Sequence, residues 1–131
     1  CFVFFYFVQF FIISHKYKMM IYSLDKINEM AEGDEEFVQS VISVFLEEVP
    51  NDLAALEKAL EKENYEQVYQ LAHKIKPNVD LLGMEQTRAA ALEIETLGKN
   101  SANMAEIQKV FPILQKDITQ VVGELKKDFN F

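Results

Sequence analysis

NYEQVYQLAHKIKPNVDLLG, residues 64–83, decides how the rest of the chain is read. Asn64 followed three places later by Gln67 is a capping box, in which one side chain satisfies the free backbone N–H of the other's turn. Apolar residues then recur at spacings of three and four, at Val68, Leu71, Ala72, Ile75, Val79 and Leu82, and Gly83 closes the run. A strand would need alternation with period two. The pattern predicts an amphipathic helix instead. At about 100° per residue the apolar stripe centres about 10° from Ile75, and His73 falls about 160° from it. The imidazole is therefore expected on the solvent face. Its neighbours there are Tyr69 one turn earlier, Lys76 and Pro77 one turn later, and Asp80 two turns later.

The same period extends in both directions. Ser23 is the expected cap of a short first helix over residues 23–32, with Gly33 as its stop. Asp34 is expected to cap a second helix striped by Val38, Val41, Ile42, Phe45, Val49, Leu53, Leu56 and Leu60, which Pro50 should kink or break. Residues 84–97 form a fourth helix, in which Ala89, Ala90 and Ala91 allow close packing and Gly98 is the residue past its end. Asn103 and Glu106 make a second capping box, opening a last helix striped from Ile107 to Leu125 that Pro112 should bend near its start. Connections of two to six residues make neighbouring helices antiparallel. The expected fold is all-α: an antiparallel up-down four-helix bundle with a short extra N-terminal helix.

A chain of 131 residues holds one such domain. Six of its 11 Phe stand in residues 1–11, within the apolar run CFVFFYFVQFFIIS. That run is short of the roughly 18 to 20 residues a membrane span needs, and it lacks the basic start and small-residue end of a secretory signal. With Met19 and Met20 directly before the first helical pattern, residues 1–18 are read as an apolar extension outside the native domain, which is 19–131. The alternative is a membrane anchor flanked by Lys16 and Lys18. These two lysines are the only charged residues of the extension, so the chain's net charge of −8 becomes −10 over residues 19–131. Such an acidic domain argues against a nucleic-acid partner. Cys1, His15 and His73 supply no zinc box, and no phosphate loop or nucleophile elbow occurs. No cofactor and no small-molecule substrate is expected.

His73 is the residue best suited to chemistry. An ordinary imidazole has a pKa near 6.5, so much of it is unprotonated and nucleophilic at neutral pH. Lys76, Lys74 and Arg88 form a basic spot on an acidic chain, which fits a phosphoryl group. Because the third and fourth helices turn back at Gly83, either Glu93 or Glu95 stands level with His73, ready to accept a hydrogen bond from one ring nitrogen and leave the other free.

The run Leu71-Ala72-His73-Lys74-Ile75-Lys76, then Leu82-Gly83, then Leu92-Glu93-Ile94-Glu95-Thr96-Leu97, resembles the signature of the histidine phosphotransfer (HPt) domain. The FVQSVISVFLEEVP stretch from Phe37 is similar to that family's second helix, and the resemblance covers residues 20–127. It implies a phosphorelay intermediate of two-component signal transduction, with no ATP-dependent kinase activity of its own. His73 would accept a phosphoryl group from a receiver-domain aspartate and pass it to another receiver, with Lys76 beside the phosphoryl group. The implied partners are response-regulator receiver domains and hybrid sensor histidine kinases, with Mg²⁺ carried by the receiver. Tyr69, Lys74, Pro77 and Asp80 are expected to meet the partner, along with residues of the first helix and the start of the second. The protein would be monomeric and cytoplasmic, with membrane association only if residues 1–14 are genuine. Pro77 stands where the family usually has glycine, and Asp80 is expected to pair with Lys76. Two other readings remain: a receiver-binding adaptor of the same fold that transfers nothing, and a membrane-tethered structural bundle.

Overall fold

A computed structural model describes residues 21–131. The apolar extension, with Met19 and Met20, lies outside them. Among the described residues five helices follow one another: α1 (Asp25–Ala31), α2 (Glu35–Glu61), α3 (Tyr65–Leu81), α4 (Glu85–Lys99) and α5 (Met104–Asp128). α2 packs on α3, α3 on α4, α4 on α5, and α5 back on α2, which closes a four-helix bundle. Among the described residues no helix is long and apolar enough to cross a membrane.

Three of the caps are those expected from sequence. Asp34 Oδ1 accepts from the backbone N–H of Glu36 and Phe37, Asn64 Oδ1 from Gln67, and Asn103 Oδ1 from Glu106. Each satisfies N–H groups that a first helical turn leaves without partners. Gly33 and Gly83 take the left-handed φ of +89° and +66° that ends α1 and α3. The stripes of α2, α3 and α5 meet in one core that includes Ile42, Leu56, Ile75, Ile94, Leu114 and Val121, each fully enclosed.

Four expectations change. α1 starts at Asp25, not Ser23; the Ser23 hydroxyl instead accepts from the Asp25 N–H at 3.2 Å. Pro50 does not break α2, which runs on to Glu61. The Asn51 side chain donates to the Glu47 carbonyl at 2.9 Å and supplies a donor near the gap, and Asn78 does the same for the Lys74 carbonyl beside Pro77. Ala90 and Ala91 are buried but Ala89 is exposed. Gly98 is not a stop: α4 continues through it to Lys99, and the glycine is buried.

α1 lies across the end of the bundle where α3 and α5 finish. The Ser23 N–H donates to the Leu82 carbonyl at 2.7 Å, and the Tyr22 hydroxyl donates to Asp128 at 2.5 Å. Burial, and then the bond to Asp128, push the Tyr22 phenol well above its ordinary range. On the other flank the buried Thr87 hydroxyl donates to Asp117 at 2.8 Å, pinning α4 to α5.

Candidate functional site

His73 sits midway along α3 with its side chain 62 % exposed, on the face opposite Ile75, as the angular arithmetic required. Ala72 and Ile75 anchor the helix on either side of it in the core. Its exposure is therefore imposed by the stripe that buries its neighbours.

Glu95 of α4 meets the imidazole: His73 Nδ1 lies 2.8 Å from Glu95 Oε1. The Glu95 side chain is only 13 % exposed, and Lys76 Nζ stands 2.7 Å from its second oxygen, in a close ion pair rather than a well-aligned hydrogen bond. Burial pushes the Glu95 carboxyl up, but the Lys76 ammonium and the His73 N–H outweigh it and hold the group below its ordinary value. An ionised carboxylate can only accept. Nδ1 must then carry the hydrogen and donate it, which in a neutral imidazole leaves the Nε2 lone pair free. The ring thus has one nitrogen held and the other open on the outside of a rigid helix.

Of the two glutamates proposed from sequence, the structure brings Glu95 to His73, while Glu93 is exposed and makes no bond to the ring. Tyr69 is half-buried beside His73, its ring stacked on the imidazole with centroids 6.0 Å apart and planes at 29°. Pro77 is exposed one turn beyond.

Other expectations are corrected. Asp80 does not pair with Lys76: its Oδ1 lies 3.0 Å from Lys26 Nζ of α1 and 3.8 Å from Arg88 Nε of α4. Lys76 is instead drawn to Glu95, the better-buried carboxylate, and Asp80 faces the end of the bundle where α1 crosses. Lys76 is also not fully on the solvent face, since its side chain is 27 % exposed. Lys74 turns away from the site and pairs with buried Asp52 of α2 at 3.1 Å, and that bond raises its pKa. Arg88 is held by Glu85 at 3.1 Å. The basic spot expected from sequence is thus a set of ion pairs, and among them Lys76 is the cation that shares a carboxylate with His73.

The sequence pointed to the start of the second helix without naming residues there, and also to the first helix, which contributes nothing to the groove found. Phe37, Ser40, Val41, Val44 and Phe45 of α2, with Asn78 and Leu81 of α3 and Leu82 just past its end, line an apolar groove of about 280 Å³. Its α3 wall starts at Asn78, five residues past His73, where α3 packs on α2. Val44 is 50 % exposed within it. The signal was present: Phe37, Val41 and Val44 form a second apolar row beside the core row of α2, more apolar circumference than one buried face needs.

A bundle that presents one open imidazole nitrogen beside a largely enclosed carboxylate and an ammonium has the chemistry of a group carrier. The chain matches the Hpt domain family over residues 40–124 and belongs to that family. No curated protein and no solved structure matches it. Membership makes it a component of phosphorelay in two-component signalling, a setting in which Hpt domains interact with receiver domains and kinases.

Proposed function

We propose that the protein accepts a phosphoryl group on Nε2 of His73 from a receiver-domain aspartyl phosphate and passes it to the aspartate of a second receiver. The observation that carries this reading is the 2.8 Å contact between His73 Nδ1 and Glu95 Oε1. The Nε2 lone pair attacks phosphorus, an N–P bond forms, and the P–O bond to the aspartate breaks with the carboxylate as leaving group. No proton has to leave Nε2, because the ring hydrogen is on Nδ1 and stays with Glu95. The positive charge that develops on the imidazole is balanced by the same carboxylate.

Lys76 is the cation within reach of the incoming phosphoryl oxygens, and its hold on Glu95 keeps it beside the ring. The Mg²⁺ ion belongs to the receiver in this reading. Such in-line transfer rests on positioning and charge stabilisation more than on covalent chemistry, which suits so sparse a site. The apolar groove of Phe37, Val41, Val44 and Leu81, with Pro77 and Tyr69 flanking His73, forms the docking surface for an apolar face of the receiver. Asp80, neutralised by Lys26 and Arg88, is no obstacle to the phosphorylated state. The protein acts as a cytoplasmic monomer.

Incubation with a phosphorylated receiver domain tests this. Acid-labile, base-stable label is expected on the wild-type protein and none on His73→Gln. Label that survives in that variant refutes the assignment, and receiver binding without label points to an adaptor.

A further inference from the structure

Two glycines lie inside helices, and they differ. A Cβ placed on Gly123 of α5 would meet nothing within 4 Å. A Cβ on Gly98 of α4 would stand 3.0 Å from the backbone nitrogen of Tyr69, 3.2 Å from its Cα and 3.3 Å from its Cβ. Gly98 is not among the residues with positive φ, so space rather than backbone conformation calls for glycine there. Here α4 rests directly on the backbone of α3.

This contact is one helical turn from the site. In the antiparallel pair, Glu95 precedes Gly98 by three residues and His73 follows Tyr69 by four. The His73–Glu95 distance of 2.8 Å has little slack, since N–H···O bonds are made between about 2.7 and 3.2 Å. Moving α4 outward by even half an ångström to accommodate a methyl group stretches the bond past that range. Tyr69 also faces both ways: its backbone meets Gly98, and its ring stacks on the His73 imidazole.

We propose that Gly98 and Tyr69 are positioning residues for transfer, their contact setting the α3–α4 spacing at which Glu95 holds the Nδ1–H of His73. The proposal rests on the reading of His73 as the phosphoryl acceptor. Nothing else on α4 need touch the reacting atoms for its distance from α3 to govern them.

The test uses the full chain and two readouts, the ¹⁵N shifts of the His73 ring at about pH 8.5, where imidazoles are neutral, and the rate of labelling by a phosphorylated receiver domain. Wild type and Gly123→Ala are expected to show a single tautomer with hydrogen on Nδ1 and equal labelling rates. Gly98→Ala is expected to show mixed tautomers and labelling about tenfold slower, the effect of losing a hydrogen bond to a charged group. An unchanged tautomer and rate in folded Gly98→Ala overturns the proposal. Should that variant fail to fold, Glu95→Asp shortens the carboxylate's reach without altering helix packing and must give the same mixed tautomers; a single Nδ1–H tautomer there overturns the proposal equally. Label that arrives elsewhere than His73 defeats the underlying assignment instead, and the ring shifts still report on the spacing.

Discussion

On its α4 flank, α3 offers Lys76 to Glu95 at 2.7 Å; on its α2 flank it offers Lys74 to Asp52 at 3.1 Å. Both carboxylates are well enclosed, with side chains 13 % and 11 % exposed. Both lysines stand within three residues of His73. The difference lies in the second oxygen. Glu95 turns its other oxygen to the imidazole, whereas Oδ2 of Asp52 is buried without a hydrogen-bond partner. A lysine paired with an enclosed carboxylate is therefore common to both flanks, and only the shared carboxylate joins one pair to the His73 ring. The α2 flank gives the region beyond His73 a different character, an apolar groove whose lining holds no ionisable side chain.

The sharpest way to break this comparison is to remove each lysine in turn. Lys76→Ala is expected to slow labelling of His73 by about tenfold or more, if the ammonium has the proposed place beside the phosphoryl group. It should also cost about 1 kcal/mol in urea unfolding, since Glu95 is left with one partner fewer. Lys74→Ala is expected to change the labelling rate less than about twofold, because its ammonium is turned to Asp52 on the α2 flank and shares no carboxylate with His73. Equal rate losses in the two variants would erase the distinction between the flanks.

A second measurement separates docking from chemistry. Val44→Asp places a charge on an exposed position of the groove without opening the core. The receiver concentration for half-maximal labelling is expected to rise about tenfold, with the rate at saturation unchanged. A fall in the saturating rate instead would show that the groove acts on the ring itself.

The smallest effect concerns acid. The Glu95 carboxyl is held below its ordinary value of 4.5 in the folded protein. A depressed carboxyl contributes stability above its unfolded pKa and loses it as the pH falls through the folded value. Wild type is expected to exceed Glu95→Gln by about 1 kcal/mol at neutral pH, with the gap closing once the pH is well below 4.5. A gap independent of pH would mean that shape rather than charge distinguishes the two side chains.

Much of this was legible without coordinates because it depends on residues close in sequence. The N-caps at Asn64 and Asn103 and the left-handed glycines are decided within a single turn. The exposure of His73 follows from angles along one helix. The misreadings share a cause. Asp80 looked like a partner for Lys76 at i,i+4, but Lys26, 54 residues away, and Arg88 take that place. Gly98 looked like the end of a helix because a terminal glycine and a close-packed one have the same letter.

Glu93 and Glu95 make the division clearest. They stand about 100° to either side of buried Ile94, so the α4 sequence alone treats them alike. Which flank faces α3 depends on the hand and spacing of the helix pair, which no residue of α4 specifies by itself. The sequence by itself determined the helices, their buried faces and an outward histidine, because helical periodicity and capping are local. Only the tertiary structure decided which carboxylate holds that histidine, which lysine attends it and where the apolar groove opens, because each of these is a distance between helices.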